Sequence, residues 1–332
     1  MRTVPLGSEG LTVSEEGLGC MSMSSTYGPA DEPLGLATLR RAVELGVTLF
    51  DTAESYGSGH NETLVGRGLA PYRDQVVLAT KVGFVFDDNH DLVVSGGRPI
   101  VDGRPEHIVA AIEGSLGRLG VEYIDLVYLH RIDPEVPVED TVAAMAGLID
   151  AGKIGHIGLS EASAETIRRA HGTHPVTAVQ TEYSLFERGV EANGVLAAVQ
   201  ELGIGFVPYS PLGRGFLTGT LDTATLHASD FRNDDPRLNG ENLARNRGLL
   251  DAITAIADAK GVKPAQLALA WTMARGGVPI PGTRRIKYLE ENVAAADLDL
   301  TPAEMKQLDE AAPVGAASGD RYSPANMDLL TR

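Results

Sequence analysis

A single cysteine, Cys20, in 332 residues leaves no partner for an internal disulfide and no multi-cysteine metal site. Long apolar runs are missing too, since nothing approaches the roughly 18 residues needed to span a bilayer. Residues 1–8 are few, polar and without an apolar core segment, so no secretory signal is expected and the cytoplasm is the expected location. Basic residues are outnumbered: Lys plus Arg total 28 against 45 for Asp plus Glu, a formal net charge of −17. That balance favours solubility and argues against the basic patches that nucleic-acid backbones demand. Neither nucleic acid nor membrane is therefore an expected partner. No strand-like run is followed by G-x-G-x-x-G opening a helix, which disfavours an open dinucleotide-binding sheet. The nearest approach, Gly213-Arg214-Gly215, lies in a loop and lacks the third glycine. No Pro-, Gly- or Ser-rich linker divides the chain, so residues 1–332 are read as one domain.

What is present is alternation. Short β-branched or apolar runs fall at residues 16–21, 48–51, 76–82, 124–129, 154–160, 178–181, 205–209 and 278–281. Helical segments are expected between them at 33–45, 62–70, 104–119, 138–151, 162–171 and 190–202, then at 241–260 and 263–275. Gly46, Gly120, Gly152 and Gly203 sit where a left-handed helix cap is wanted. Regular βα alternation predicts parallel strands with right-handed crossovers. Eight units over this length predict an α/β fold closed as a (β/α)8 TIM barrel. Residues 3–13 read as an N-terminal β-hairpin turning at Ser8-Glu9-Gly10, placed to plug the barrel floor. Residues 84–103 and 212–240 are long loops for the C-terminal face, where binding segments concentrate. The tail, 313–332, packs on the helices or lies over the barrel mouth.

Three of the apolar runs end in polar, titratable side chains. The first drives into Asp51, the second into Lys81, the third into His130, and Tyr56 follows just beyond the first. Strand ends of α/β barrels are where ligands bind. A buried Asp and a buried Lys each need a counter-charge, and each supplies the other's. Singly, each residue has a plainer explanation: a helix cap for Asp51, a snorkelling stem for Lys81, a structural histidine, a core aromatic. Together, at one relative position in successive units, they read as a site.

The motifs around these residues extend the length of the chain. They are GVTLFDTAESYGSGHNE (46–62), VLATKVG (77–83), IDLVYLHRID (124–133), KIGHIGLSE (153–161), AVQTEYS (178–184), FVPYSPLGRGFLTG (206–219) and PIPGTRRIKYLEENVAA (279–295). In that order they resemble the aldo-keto reductase family. The opening GSEGLTVSEEGLGCMSMS (7–24) further resembles the branch of plant and microbial enzymes that includes perakine reductase.

The resemblance implies hydride transfer from NADPH to a small aldehyde or ketone, without metal or flavin. It implies Tyr56 as general acid, Asp51 and Lys81 as the ion pair beside it, and His130 as the group orienting the carbonyl. A free phenol titrates near 10, so a neighbouring ammonium is expected to lower Tyr56 and Asp51 to hold that ammonium in place. For the cofactor it implies Ser160, Gln180 and, where relatives have Asn, Glu161 at the nicotinamide carboxamide, with Tyr209 stacked on the ring. Ser210, Pro211, Leu212, Gly213, Arg214, Gly215 and Phe216 are expected along the pyrophosphate. Gly282, Thr283, Arg284, Lys287, Glu291 and Asn292 are expected at the adenosine end. Gly282 replaces a lysine common in relatives, which shifts the phosphate charge to Arg284, Arg285 or Lys287. Met23, Tyr27 and Phe84, with Phe86 and Tyr183, are expected at the substrate mouth. Monomer and homo-oligomer are equally compatible with the sequence. A regulatory, cofactor-binding subunit of the same fold is the alternative function. A metal-dependent barrel hydrolase is not, because no HxH-type ligand set ends the strands.

Overall fold

The computed structural model describes residues 1–330. Strands run in chain order as β1 (Thr3–Pro5), β2 (Thr12–Ser14), β3 (Leu18–Gly19), β4 (Leu49–Asp51), β5 (Val77–Val82), β6 (Val94–Ser95), β7 (Arg98–Pro99), β8 (Ile124–Leu129), β9 (Ile154–Ser160), β10 (Ala178–Glu182) and β11 (Gly205–Tyr209). Seven of them form one parallel sheet ordered β11-β10-β9-β8-β5-β4-β3. The helices are α1 (Glu32–Glu44), α2 (His60–Leu69), α3 (Pro105–Leu119), α4 (Val138–Asp150), α5 (Ala164–Thr173), α6 (Val195–Glu201), α7 (Gly240–Lys260), α8 (Pro264–Ala274), α9 (Ile286–Val293), α10 (Pro302–Ala311) and α11 (Pro324–Met327).

The eighth stave is the expected run 278–281, and it is not a regular strand. Val278 N–H donates to Phe206 O at 2.9 Å and Ile280 N–H to Pro208 O at 3.1 Å. On its other side Gly17 N–H donates to Pro279 O at 2.9 Å, and Gly19 bridges Gly282. Pro279 and Pro281 carry no N–H, so half of the ladder on this stave is missing from the start. Closure is nonetheless made, and the molecule is a (β/α)8 barrel.

Period-two alternation sorts the strand residues. Leu49, Ala79, Leu126, Tyr128, Ala178, Val207 and Ile280 share the interior cluster with Leu6, Leu11 and Val13 of the hairpin. Phe50, Leu78, Val127, Leu129, Val179 and Phe206 belong to the larger cluster shared with the helices. The β1–β2 hairpin thus plugs the floor, as its position in the sequence predicts. Gly205 makes room for it, because a Cβ there would meet Leu6 Cδ1 at 2.7 Å.

Two expectations on elements change. The helix expected over 190–202 is a short turn at Gly189–Glu191 followed by α6, broken at Gly194, which takes φ +87°. The loop 84–103 holds its own small hairpin, β6 with β7. α9 and α10 lie beyond the alternation that the sequence was read by.

Leu6 is 1% exposed at the plug. Leu6→Ala is expected to lower unfolding free energy by about 2–5 kcal/mol through lost burial and a residual cavity. Urea denaturation checks this, and an unchanged midpoint would show that the hairpin does not seal the floor.

Candidate active site

The interior row of each strand continues by one more alternation at its C-terminal end. Leu49 leads to Asp51, Ala79 to Lys81, Tyr128 to His130, Gly158 to Ser160, Ala178 to Gln180 and Val207 to Tyr209. Apolar below and polar at the rim is therefore one pattern repeated around the barrel. Gly158 contributes by absence, since a Cβ would meet the Tyr128 ring at 2.3 Å.

Asp51 and Lys81 form a buried ion pair, with side chains 3% and 1% exposed. Lys81 Nζ also donates to Thr52 O at 2.8 Å and to the Tyr56 hydroxyl at 3.1 Å. Gln180 Nε2 donates to the second oxygen of Asp51 at 2.8 Å. Burial works to lower Lys81, but Asp51 and Tyr56 together hold it above its ordinary value. The ammonium is charged.

Tyr56 lies in the turn between β4 and α2, where Gly57, Ser58 and Gly59 all take positive φ. Asn61, fully buried, clamps that turn by donating to Cys20 O at 2.9 Å and Ser24 Oγ at 2.8 Å while accepting from Thr52 Oγ1 at 2.7 Å. The expectation that Lys81 lowers Tyr56 needs correction. Burial pushes the phenol above its ordinary value and the Lys81 ammonium only partly opposes it. Tyr56 is accordingly protonated, a donor rather than a resting phenolate.

His130 packs edge-on to Tyr56 with ring centroids 6.2 Å apart and against Phe84 at 4.8 Å. Burial, then the charges of Arg131 and Lys81, hold it well below the usual imidazole range. Its ring is neutral, and Nδ1 is buried without a partner.

Above these groups opens a cleft of about 1060 Å³. Asp51, Tyr56, His130, Ser160, Gln180 and Tyr209 lie at its inner end, with Tyr27 on its wall. Ser210, Pro211, Leu212, Arg214 and Gly215 line one side, and Gly282, Thr283, Arg284, Lys287, Glu291 and Asn292 the far end. Lys81 stands behind the surface, reaching it through Tyr56. The structure thus brings most of the sequence-derived residues to one cavity.

Several lie elsewhere. Gly213 and Phe216 face away from the cleft, Phe216 stacking on Phe186 at 4.5 Å. Met23 is fully buried in the helix-side core rather than at the mouth. Phe84 backs His130, and Phe86 stacks on His90 at 4.7 Å. Tyr183 is buried between Phe206 and Trp271, outside the barrel wall. Glu161 does not reach the cleft either. It is fully buried under Arg321, whose Nη1 and Nη2 donate to its two oxygens at 3.2 and 2.6 Å. Burial would raise that carboxyl, but Arg321 outweighs it and holds it low. The tail lies over the mouth, and Tyr322 OH is 3.0 Å from Tyr209 OH. Arg214, expected along a pyrophosphate, is 5% exposed and neutralised by Asp235 at 2.6 Å and Glu182 at 3.4 Å.

Among the cleft residues that the sequence reading missed, three bear on its chemistry. Ser22 presents a buried hydroxyl without a partner. Tyr322 comes from the tail. Arg131 follows His130 and donates from Nη1 to His130 O at 2.6 Å and to Ser160 Oγ at 3.2 Å. A cation directly after a strand-end histidine was the available signal for it.

A protonated phenol joined to a buried ammonium thus stands beside a neutral imidazole at the C-terminal mouth of a (β/α)8 barrel. The chain belongs to the Aldo/keto reductase family, which it matches over residues 17–313. That family uses nicotinamide cofactors and acts on small carbonyl substrates. Over 326 residues it is 42% identical to "Probable aldo-keto reductase 1" of Glycine max, covering 97% of this chain and 92% of the relative. The fold is similar to that of a glycerol dehydrogenase, AKR11B4, from Gluconobacter oxydans, with TM-score 0.83 and 27% identity over 97% of this chain and 98% of that one. It is also similar to a thermostable aldo-keto reductase, Tm1743, solved with the inhibitor epalrestat, with TM-score 0.74 and 28% identity over 94% and 100% of the two chains.

Glu54, between Asp51 and Tyr56, is a buried carboxyl whose Oε1 accepts from Gly83 N–H at 2.8 Å and Phe84 N–H at 3.1 Å. Burial pushes it from 4.5 up to about 7. The folded chain then holds this proton more tightly than the unfolded chain, so the group opposes folding increasingly as pH rises from 4.5 to about 7. Glu54→Gln keeps a carbonyl acceptor and removes the titration. Across that window its unfolding free energy should decline by roughly 3 kcal/mol less than wild type's, at about 1.4 kcal/mol per unit. Superimposable pH–stability curves would show that Glu54 is ionised in the fold.

Proposed function

We propose that the protein is an NADPH-dependent carbonyl reductase in which Tyr56 is the general acid. The observation that carries this reading is the 3.1 Å contact from the Lys81 ammonium to the Tyr56 hydroxyl, backed by buried Asp51. The residues present fit a nicotinamide dinucleotide. Ser160 and Gln180 pair in register at the inner end for the carboxamide, and Tyr209 offers an aromatic face. Gly213, Arg214 and Gly215 take φ +55°, +57° and +95°, a tight turn that brings Arg214 and Gly215 to the middle of the cleft. The orphaned Ser22 hydroxyl is a donor awaiting an acceptor. Arg284 and Lys287, near the start of α9, bring positive charge to the far end, where Gly282 packs on Gly19 so closely that a Cβ would meet Gly19 O at 3.1 Å.

When bound, the cofactor supplies the hydride for the carbonyl carbon. The chain's own residues do the rest. Tyr56 gives its proton to the carbonyl oxygen, and Lys81 stabilises the phenolate left behind. Asp51 keeps the ammonium in place. His130, being neutral, donates a hydrogen bond to the same oxygen without competing for the proton. The tail, through Tyr322, and the 212–240 loop line the cleft beside the inner end. The reading extends to one catalytic domain over 1–332, a cytoplasmic location and the perakine-reductase-like branch suggested by residues 7–24. The alternative, a cofactor-binding regulatory subunit, predicts binding without turnover.

Consumption of NADPH with an aromatic aldehyde, followed at the nicotinamide absorbance, tests the reading directly. Tyr56→Phe keeps the ring but removes the donor, so kcat should fall by roughly 10²–10⁴-fold while NADPH binding is little changed. Near-wild-type kcat in that variant would sink the assignment.

Arg284 is the residue proposed to select NADPH over NADH. Its Nη1 donates to Pro29 O, which leaves other donors of the fork for a 2′-phosphate. Arg284→Ala should weaken NADPH roughly 10- to 100-fold, the worth of a charge-assisted pair. NADH should be affected much less. Calorimetric Kd values for both cofactors decide, and equal losses would make Arg284 a structural residue.

A further inference from the structure

Charge is balanced with care at the mouth of the barrel. Arg214 is neutralised by Asp235 and Glu182, Arg237 by Glu187 and Arg321 by Glu161. Arg232 pairs with Asp230, and Lys81 with Asp51. At the inner end Arg131 is the exception. Among the described residues it makes no ion pair, although it lines the inner end of the cleft beside His130. Its only protein acceptors are neutral, the His130 carbonyl and the Ser160 hydroxyl, and both are taken by Nη1. Among the described residues Nε and Nη2 have no acceptor. Glu161 feels its charge but is already paired with Arg321, so Arg131 is only partly compensated. An under-neutralised cation in a partly desolvated place is costly unless a ligand completes it. The Arg131 charge is felt at the reacting groups, since it helps to hold His130 neutral and pulls Tyr56 downward against burial.

We propose that Arg131 is a specificity-determining residue that receives an anionic substituent, and that the preferred substrates are aldehydes or ketones carrying a carboxylate. The inference rests on the carbonyl-reductase reading of the same site. A guanidinium fork fits a carboxylate with two parallel hydrogen bonds, and its two unengaged nitrogens are what such a fork requires. Anchoring through Nη1 fixes the plane in advance, which lowers the entropy lost on binding. Other lining residues of the same cleft supply the apolar half of the site. Tyr27 and Phe231 pack with centroids 5.0 Å apart, and Tyr322 stands over Arg214 at 4.3 Å. The whole then suits a flat apolar body with its carbonyl at Tyr56 and its acid group at Arg131.

The test compares 4-formylbenzoate with its neutral amide, 4-formylbenzamide, in wild type, Arg131→Gln and Arg131→Lys. Wild type should favour the carboxylate in kcat/KM by roughly 10-fold or more, the worth of a hydrogen bond to a charged group. In Arg131→Gln that ratio should collapse toward one, through KM rather than kcat, and Arg131→Lys should restore part of it. NADPH Kd, measured alongside, should stay near wild type. Equal losses on both aldehydes with weaker NADPH would assign Arg131 to the cofactor and overturn the proposal. A wild-type preference for the amide would do the same. Should neither aldehyde be reduced, the carbonyl-reductase reading itself fails. Benzoate binding to the NADPH-mixed protein, present in wild type and lost in Arg131→Gln, then upholds the anion site, and its absence from wild type overturns it.

Discussion

Removing a lysine and an aspartate from water together is the constraint around which the barrel mouth is built. Each charge alone carries a desolvation cost of several kcal/mol, and their attraction repays it only with good geometry and further hydrogen bonds. The further bonds are present: Thr52 O and Tyr56 OH for Lys81, Gln180 for Asp51. These partners come from β4, the turn after it, β5 and β10, so strands far apart in sequence must register correctly for one pair to be satisfied. The same geometry aims the phenol. A Tyr56 that left its place would strip the ammonium of an acceptor, so the ion pair orders the acid as well as supporting it.

A second buried charge network fastens what lies above. Arg214 is held by Asp235 and Glu182 and stacks against Phe231 and Tyr322. Arg321 is held by Glu161 and approaches Glu182 at 3.8 Å. Through these contacts the 212–240 loop, the tail and the ends of β9 and β10 become one assembly. Glu161 takes φ +56°, an uncommon choice for a side chain of this size, and the Arg321 pair offsets that strain. Its carboxylate is a strut for the tail, which explains why it does not face the cleft.

What the sequence disclosed follows from periodicity. Interior positions repeat every two residues, so a polar side chain ending an apolar run announces a site even without a structure. The family resemblance placed Ser160, Gln180 and Tyr209, whereas that rule placed Asp51, Lys81 and His130. It also found the stave at 278–281, though not its broken ladder, because prolines spoil the hydrogen bonding without spoiling the apolar pattern. Loops have no such period. Met23 and Tyr183 are apolar residues near the site in sequence, and only packing could send them to the helix-side core. Glu161 was beyond reach for another reason: its partner is Arg321, and a pairing across that separation leaves no local trace. Arg131 went unread because an arginine one step past a strand end is ordinarily solvated.

The charge of the whole molecule and the charge of the cleft have opposite signs. Across the chain Asp plus Glu exceed Lys plus Arg by 45 to 28. The cleft is lined by Arg131, Arg214, Arg232, Lys263, Arg284, Arg285 and Lys287, against Asp51, Asp222 and Glu291. An acidic exterior with a basic channel repels anions everywhere except at that opening, and low-dielectric walls focus the field within it. Within the channel the cations fall into two groups. Arg284, Arg285 and Lys287 stand at the far end, where among the described residues no carboxylate ion-pairs with them, and Arg131 stands likewise unpaired at the inner end. Between them, Arg214 and Arg232 are neutralised by acids of their own. Positive charge left open at two separated places asks for negative charge at two separated places. Under the proposed reading a phosphorylated dinucleotide would answer the far one, leaving the inner one to whatever shares the site with it.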